Sequence, residues 1–276
     1  MKPPRFDYVR ADDLGEVHAL LAEHGSDARL VAGGQTLLPM LSMRLVRPKV
    51  VIDIMHLPAL RTIAASGNEI RIGAGVRQAE LLGWPGLAEN APLLAAALPW
   101  VGHAQTRSRG TVCGSVAHAD PSAEIPLALL ALEGAVELTS RRRRRRVAAS
   151  VFFTGTMTTE RGDQEMIEAV VVPNKRPDHG YAFAEFGRRH GDFAIVACAA
   201  VCGPDRTRLA IGGVADRPVA RDFPVLEDAA LDDALDAFAW ELDARDDMHA
   251  TARYRRDLVR RMGAGTIKEA QKKCRA

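Results

Sequence analysis

The sequence is poor in aromatic residues and in cysteine, and it carries no excess charge of one sign. Of its 276 residues, 5% are aromatic and four are cysteine, and the formal net charge is +2. Proteins that stack bases need exposed rings, and a nucleic-acid partner favours a strongly basic domain. These shortages argue against a nucleic-acid-binding protein. The six arginines at residues 141–146 keep that alternative open, although we favour a solvated hairpin turn for them.

None of the four cysteines, at positions 113, 198, 202 and 274, belongs to a Cys-x-x-Cys pair. Cys198 and Cys202 lie in an apolar run, where a free cysteine behaves as a small hydrophobic residue. The sequence therefore predicts no metal or iron–sulfur site held by this chain alone.

Long apolar runs are also missing. No run approaches the roughly 20 residues that a transmembrane helix requires, and residues 1–5 lead into no apolar signal-peptide core. We therefore expect no membrane span and a cytoplasmic location. The hydrophobic content of 47% is nevertheless enough for a packed core.

Two short glycine-containing turns are what the sequence does contain. They read Ala32-Gly33-Gly34-Gln35-Thr36 and Thr111-Val112-Cys113-Gly114-Ser115. Glycine tolerates positive φ, so consecutive backbone N–H groups can point into one concavity that holds an anion. The first turn joins a predicted strand to a predicted helix, and the second repeats its small and hydroxylated residues. The pair predicts a site for one long ligand with a diphosphate.

Hydrophobic patterning predicts an α+β chain. Predicted strands cover residues 6–10, 29–32, 49–54, 62–65, 69–73, 135–139, 164–172, 181–186, 193–201 and 207–212. The first predicted helix is capped by Asp12 and closed by Gly25. Further predicted helices cover residues 37–45, 76–84, 87–98, 125–132, 226–242 and 248–262. We expect a long loop at 102–124, a linker at 174–179 and a frayed tail after residue 263.

Three motifs then carry a resemblance. Ala32-Gly33-Gly34-Gln35-Thr36-Leu37-Leu38-Pro39 resembles the first FAD motif of the flavoprotein subunits of molybdenum hydroxylases, the family of xanthine dehydrogenase and aerobic carbon monoxide dehydrogenase medium subunits. Residues 101–121 look like the second, longer motif of that family. Arg188-Arg189-His190-Gly191-Asp192-Phe193-Ala194 resembles a third. The motifs are in the family's order and span most of the chain.

The resemblance implies an FAD-binding domain of the p-cresol methylhydroxylase type, built from two α+β subdomains at residues 1–58 and 59–176. A carbon monoxide dehydrogenase flavoprotein C-terminal α+β domain would follow at 177–276. The implied partners are a large molybdopterin subunit and a small subunit with two [2Fe–2S] clusters, in an (αβγ)2 heterohexamer. FAD on this chain would accept electrons from a [2Fe–2S] cluster and pass them to an external acceptor. The alternative is a self-contained FAD-dependent oxidoreductase.

The resemblance also implies which residues hold FAD, and it gives none of them a catalytic role. Residues 32–36 and 111–115 would hold the diphosphate from two sides. Positions implied around the nucleotide and the flavin are Val101, Asp120, Glu124, Ile167 and Phe193. Glu124 stands where the family usually has an aspartate, and Phe193 where carbon monoxide dehydrogenases have a tyrosine beside the isoalloxazine.

Two positions depart from the family pattern. Cys113 replaces the first glycine of Thr-x-Gly-Gly, which leaves a redox-active thiol as an alternative to a plain structural role. A flavin-proximal lysine of xanthine dehydrogenases falls at Ala184 or Glu185. We expect the polar residues of the second motif, Arg107 among them, to buttress the loop or face a partner, and Arg255 to lie on the surface of the last helix.

Overall fold

The computed structural model describes residues 2–275, in which three sheets of three or more strands follow one another along the chain. The strands of these sheets come from residues 7–53, 63–173 and 180–223 respectively. The mixed helix-and-strand composition confirms the predicted α+β class. The domain boundaries after residues 58 and 176 stay predictions.

The first segment forms a small parallel sheet with helical crossovers. Its elements are β1 (Asp7–Arg10), α1 (Leu14–His24), β2 (Ala28–Val31), α2 (Leu37–Ser42) and β3 (Val50–Asp53), with a 3-10 turn at Gly25–Asp27. The strand order is β1-β3-β2, and both pairs are parallel. β3 is central because its apolar run Val50–Ile52 is buried on both faces.

Helix α1 is capped by Asp13, so the prediction of Asp12 was wrong. The Oδ1 atom of Asp13 accepts the N–H of Glu16 at 2.9 Å. Glu16 reaches back with its carboxylate to the N–H of Asp12 at 2.6 Å. Two adjacent aspartates offer the same capping chemistry, and only the backbone path decides which of them is used.

The second segment forms an antiparallel sheet that carries helices on one face. Its first elements are β4 (Ile63–Ser66), β5 (Glu69–Gly73), α3 (Gln78–Leu82), α4 (Leu87–Asn90), α5 (Pro92–Ala97), α6 (Ala104–Arg109), α7 (Val112–His118) and α8 (Glu124–Ala131). Then come β6 (Ala135–Thr139), β7 (Arg144–Ala148), α9 (Ala149–Phe152), β8 (Phe153–Gly155), β9 (Thr158–Thr159) and β10 (Met166–Pro173). The sheet order is β4-β5-β10-β6-β7. All residues of α8 are buried, which makes it the central helix of the core.

Two predictions about helices in this segment were wrong. The predicted helix at 87–98 is divided into α4, α5 and a 3-10 turn at Leu98–Trp100, because Ala91 leaves the helical region just before Pro92. The predicted loop at 102–124 contains α6 and α7. Its small and polar residues hide the helical period, and Thr111 caps α7.

The arginine run is only partly a turn. Arg144, Arg145 and Arg146 belong to β7, an edge strand, so the predicted turn over all six residues was wrong. Five ion pairs link the strand and its turn to glutamates of β5, of β10 and of the segment before β10. The pairs are Arg143–Glu165, Arg144–Glu168, Arg145–Glu160, Arg145–Glu165 and Arg146–Glu69. The charges of the run are therefore largely neutralised within the protein.

The third segment is an antiparallel sheet between two helical layers. Its elements are β11 (Gly180–Phe186), β12 (Val196–Cys202), β13 (Thr207–Gly212), β14 (Val219–Phe223), α10 (Asp228–Glu241) and α11 (Ala252–Cys274). The order is β11-β12-β13-β14. Alternate strand residues join two hydrophobic clusters, one with the helices of the second segment and one with α10 and α11.

The frayed tail predicted after residue 263 is instead the second half of α11. Gly263, Ile267 and Ala270 are buried there. Gly180 lets the helix approach closely, since a Cβ at that position would overlap the carbonyl oxygen of Ala270. The polar composition misled the prediction because only one face of this helix is buried.

Candidate flavin-binding site

The first glycine turn leads from β2 into α2 with open backbone donors. Gly34 has φ +71°, which favours glycine. Within residues 2–275, the backbone N–H groups of residues 33–36 donate to no protein acceptor. The hydroxyl of Thr36 makes no capping hydrogen bond. This turn therefore leaves four N–H groups and one hydroxyl available to a ligand.

Gly33 joins this turn to the second motif. A Cβ on Gly33 would overlap the carbonyl oxygen of Arg109 and lie 2.7 Å from the Cα of Gly110. Gly110 is confined in turn, since its own Cβ would lie 3.1 Å from the Oε1 of Gln78. The two motifs thus meet backbone to backbone, in a contact that only glycine allows at position 33.

The second glycine turn uses its donors differently. The N–H of Gly114 donates to the Thr111 hydroxyl at 3.0 Å, and the N–H of Val112 to Val76 at 3.1 Å. The N–H of Ser115 reaches the Thr111 carbonyl at 3.2 Å. Of the four N–H groups of residues 112–115, only that of Cys113 has no acceptor within residues 2–275. The turn has an exposed outer face at Gly114, where no side chain projects. It offers a ligand few free donors.

Cys113 turns its side chain into the core. The residue is buried, and its thiol lies 3.5 Å from the carbonyl oxygen of Ile72. Burial raises the pKa of this thiol to about 12. A thiolate is therefore absent at neutral pH, which removes the basis for the redox-active alternative. Only the backbone of Cys113 can face a ligand.

The third motif packs on the beginning of the second. Gly191 has φ +89°, and a Cβ there would lie 2.6 Å from the ring of His103 and 3.0 Å from the carbonyl oxygen of Gly102. The ring centroids of His190 and Trp100 are 5.0 Å apart. Phe193 lies between these contacts and β12, and the residue is 67% exposed. The ring of Phe193 is thus free to lie against a ligand.

Two acids meet where α8 approaches the third sheet. Glu124 is 5% exposed, and burial raises its pKa to about 7. Burial, and then the charge of Glu124, raise the pKa of Glu185 to about 8, and its Oε2 has no hydrogen-bond partner within residues 2–275. Ala184 lies on the opposite face of β11, towards α11. The flavin-proximal lysine of xanthine dehydrogenases falls at Ala184 or Glu185. Of these two positions, only Glu185 faces the second segment, and it is an acid.

The remaining predicted ligands are mostly enclosed. Val101 and Ile167 are 7% and 5% exposed, so they can offer a ligand little besides backbone. Asp120 is half-buried and accepts the N–H of Ser122 at 2.8 Å. The guanidinium of Arg107 donates to the carbonyl oxygens of Val101 and Gly102, each at 2.9 Å. The buttressing role expected for Arg107 is confirmed.

Two further residues organise the site and carry no sequence signal of that role. Gln78 is 5% exposed, and its backbone N–H donates to the Gly110 carbonyl at 2.8 Å. Arg255 is 4% exposed, so its predicted surface position was wrong. Its charge is met by Asp247 and by two backbone carbonyls. A contact between residues distant in the chain has no local pattern by which sequence could reveal it.

Residues 2–275 contain no group of three or more His, Cys, Asp or Glu side chains arranged to hold a metal ion. No helix in the same range combines the length and the apolar character needed to cross a bilayer.

The fold and the three converging motifs define a flavoprotein of two modules, and comparison with known families agrees. Residues 4–175 match the FAD-binding domain in molybdopterin dehydrogenase, and residues 181–270 match the CO dehydrogenase flavoprotein C-terminal domain. The chain therefore belongs to the family of FAD-binding medium subunits of the molybdenum hydroxylases, which confirms the resemblance of its motifs.

Individual relatives match the chain over its full length. The alpha subunit of the 6-hydroxypseudooxynicotine dehydrogenase complex of Paenarthrobacter nicotinovorans is 36% identical, covering 100% of this chain and 97% of its own. Carbon monoxide dehydrogenase from Hydrogenophaga pseudoflava superimposes with a TM-score of 0.93 at 32% identity, over 99% of this chain and 100% of the other. Quinoline 2-oxidoreductase from Pseudomonas putida 86 does so with a TM-score of 0.92 at 31% identity, over 100% of each chain.

Proposed function

We propose that this chain is the FAD-carrying electron-transfer subunit of a molybdenum-containing dehydrogenase. It would accept electrons from a [2Fe–2S] cluster on a small partner subunit and pass them to an external acceptor. A large partner subunit would carry the molybdopterin cofactor, in a cytoplasmic (αβγ)2 heterohexamer. The observation that carries this proposal is the first glycine turn, which has four N–H groups without a protein acceptor within residues 2–275 and whose Gly33 packs against the backbone of the second motif.

The residues present fit FAD. Its diphosphate needs several donors in one concavity, and residues 33–36 provide four backbone N–H groups and the Thr36 hydroxyl. Its extended form needs a surface free of large side chains, and Gly114 and Ser115 provide one. Its ring needs an apolar face, and the exposed Phe193 provides it.

Within this proposal each part of the chain has a distinct task. Residues 32–36 bind the diphosphate, and Thr111, Val112, Cys113, Gly114 and Ser115 form the opposing wall. Glu124 and Asp120 serve the ribose and adenine end, and Val101 and Ile167 line the site. Bound FAD supplies the redox chemistry, since it can exchange electrons one or two at a time. The protein binds and orients it, and no side chain is required to transfer a proton.

The three-part division at residues 1–58, 59–176 and 177–276 belongs to the same proposal. The sheet of each segment supports it, since no strand of the three large sheets within residues 2–275 pairs across the segments. The glycine motifs lie where the segments meet. FAD would therefore bind between them and hold them together.

The visible spectrum of the purified chain tests the proposal. We expect a flavin spectrum, or its appearance on titration with FAD, without iron–sulfur absorption. Co-expression with candidate partner subunits should give a complex that contains molybdenum and [2Fe–2S] clusters. A chain that binds no FAD would overturn the proposal. Turnover of a substrate by the isolated chain would instead select the self-contained oxidoreductase.

A further inference from the structure

Residues 186–195, which include the third motif, are anchored on residues 247–255, which lead into α11 and form its first turn. The guanidinium of Arg188 donates to the carbonyl oxygen of Met248 at 3.1 Å. The rings of Phe186 and Tyr254 meet edge to face with centroids 6.2 Å apart. The residues that make these two contacts are partly exposed to solvent. The buried contact between the same two segments is made by Arg255.

Arg255 makes three hydrogen bonds from a side chain that is 4% exposed. Its Nη1 donates to the carbonyl oxygens of Ile195 at 2.7 Å and Gly213 at 2.5 Å. Its Nη2 donates to the carboxylate of Asp247 at 2.5 Å. Asp247 is itself held by the N–H groups of His249 and Ala250 at 2.8 and 3.0 Å. The guanidinium therefore lies between a fixed carboxylate and two fixed carbonyl groups.

The two carbonyl groups lie at the junction with the second motif. Gly213 has φ +80°, and its N–H donates to the carbonyl oxygen of Pro121 at 2.8 Å. A Cβ on Gly213 would lie 2.8 Å from the carbonyl oxygens of Ala194 and Ile195. Arg255 thus fixes residues 194–195 against a turn that is bonded to the second motif.

We propose that Arg255 is a positioning residue that holds the segment carrying Phe193, and so decides how the Phe193 ring meets the flavin. Phe193 precedes Ile195 by two residues and is 67% exposed as a residue. The backbone behind the ring is held by the hydrogen bond from the Ile195 N–H to the Phe186 carbonyl at 2.8 Å and by the bond from Arg255 to the Ile195 carbonyl. This inference rests on the proposed function, because it requires FAD to bind at the three motifs.

A double-mutant cycle on the full chain tests this proposal. Arg255→Lys keeps the charge but loses the planar fork that reaches both carbonyls and the carboxylate. We expect it to weaken FAD binding about tenfold and to change the visible circular dichroism of the bound flavin. Phe193→Leu should weaken binding to a similar degree. In the Phe193→Leu background, Arg255→Lys should change FAD affinity and the flavin signal by less than about twofold.

Two other variants complete the design. Arg253→Lys lies on the same turn of α11 and is exposed, so it should leave the affinity and the flavin signal unchanged. Asp247→Asn weakens the same anchor from its far side and should shift the flavin signal in the same direction, less strongly. It replaces Arg255→Lys in the cycle if that variant fails to fold.

Effects of Arg255→Lys and Phe193→Leu that multiply to about a hundredfold would show that Arg255 acts independently of Phe193 and would overturn this proposal. An unchanged flavin signal in a folded Arg255→Lys protein would also overturn it. These results differ from failure of the proposed function, in which the wild-type chain itself would bind no FAD.

Discussion

The two glycine turns have similar residues but different surroundings. The first keeps the N–H groups of residues 33–36 open, whereas the second uses three of its four N–H groups within the protein. Gly33 lies against another backbone, which cannot give way, whereas Gly114 lies against a capping hydroxyl, which can. Similar composition thus produces a donor surface in one turn and a rigid wall in the other.

Gly33→Val disrupts the first turn, which carries the open N–H donors, and should have the largest effect. Its Cβ would overlap the carbonyl oxygen of Arg109, and neither backbone can move without displacing a motif. We expect loss of FAD binding and a free energy of unfolding lower by about 1–3 kcal/mol. FAD titration and chemical denaturation measure the two effects.

Gly265→Ala is the matched control for that substitution. Gly265 is an exposed helical residue, and nothing lies within 4 Å of a Cβ there. This variant should bind FAD normally and gain about 0.5–1 kcal/mol of stability, because alanine favours a helix. If Gly33→Val retained a full complement of flavin, the donor role of the first turn would be wrong.

Gly114→Ala tests the second turn, which forms the rigid wall, and should have a smaller effect. The added Cβ would lie 2.7 Å from the Thr111 hydroxyl, a side chain that can rotate away. Loss of this cap costs about 1 kcal/mol of stability, and we expect FAD affinity to fall about tenfold or less. In a Thr111→Ala background the same change should add little cost. An equal cost in both backgrounds would contradict this explanation.

A pH series sharpens the comparison further, because the second turn is followed by the buried acids Glu124 and Glu185. Their folded-state pKa values, about 7 and about 8, lie above the value near 4.3 of an unfolded glutamate. Their contribution to stability is therefore complete below about pH 4.3 and is lost as the pH rises through 7 to 8. Glu185→Gln should reduce the decline in melting temperature between pH 6 and pH 9 by about 2–4 °C.

Thermal unfolding of wild type and Glu185→Gln at matched pH values measures this difference. Both proteins should have similar melting temperatures at pH 5, where Glu185 is protonated. A decline of the same size in the two proteins would show that Glu185 does not bind a proton in the folded state.

Cys113→Ala should have the smallest effect on the ligand. The thiol faces Ile72 in the core, so its removal should cost about 1 kcal/mol of stability and change FAD affinity by less than about twofold. In the native protein a thiol reagent should label the half-exposed Cys274 and leave Cys113 unmodified. Rapid labelling of Cys113 would restore the redox-active alternative.

Sequence predicted local features of the fold well and distant contacts poorly. The hairpin at residues 66–68 and the apolar strand at 135–139 follow from local residue choice, and both form where expected. The helices at 104–118 were missed because small residues there carry no apolar period. The contact between Gly33 and Arg109 and the burial of Arg255 depend on residues brought together only by folding.

The candidate site was likewise predictable only in part. Glycine, threonine and serine identified the two turns, because glycine lets backbone N–H groups converge and the other two add hydroxyl groups. Their order along the chain then suggested one ligand. Which donors remain free could not be read from sequence, since that depends on Val76 and Thr111 as acceptors.

The arginines of β7 have a consequence for the behaviour of the protein in concentrated solution. β7 ends the five-stranded sheet, so one row of its backbone N–H and C=O groups has no neighbouring strand in that sheet. Such an edge can form hydrogen bonds with an edge strand of another molecule and start aggregation. Arg144 and Arg146 place charged side chains along this edge, tied to Glu168 and Glu69 of the same sheet. Because these side chains are long, charged and already paired, an added strand would have to displace them, which disfavours a sixth strand at this edge.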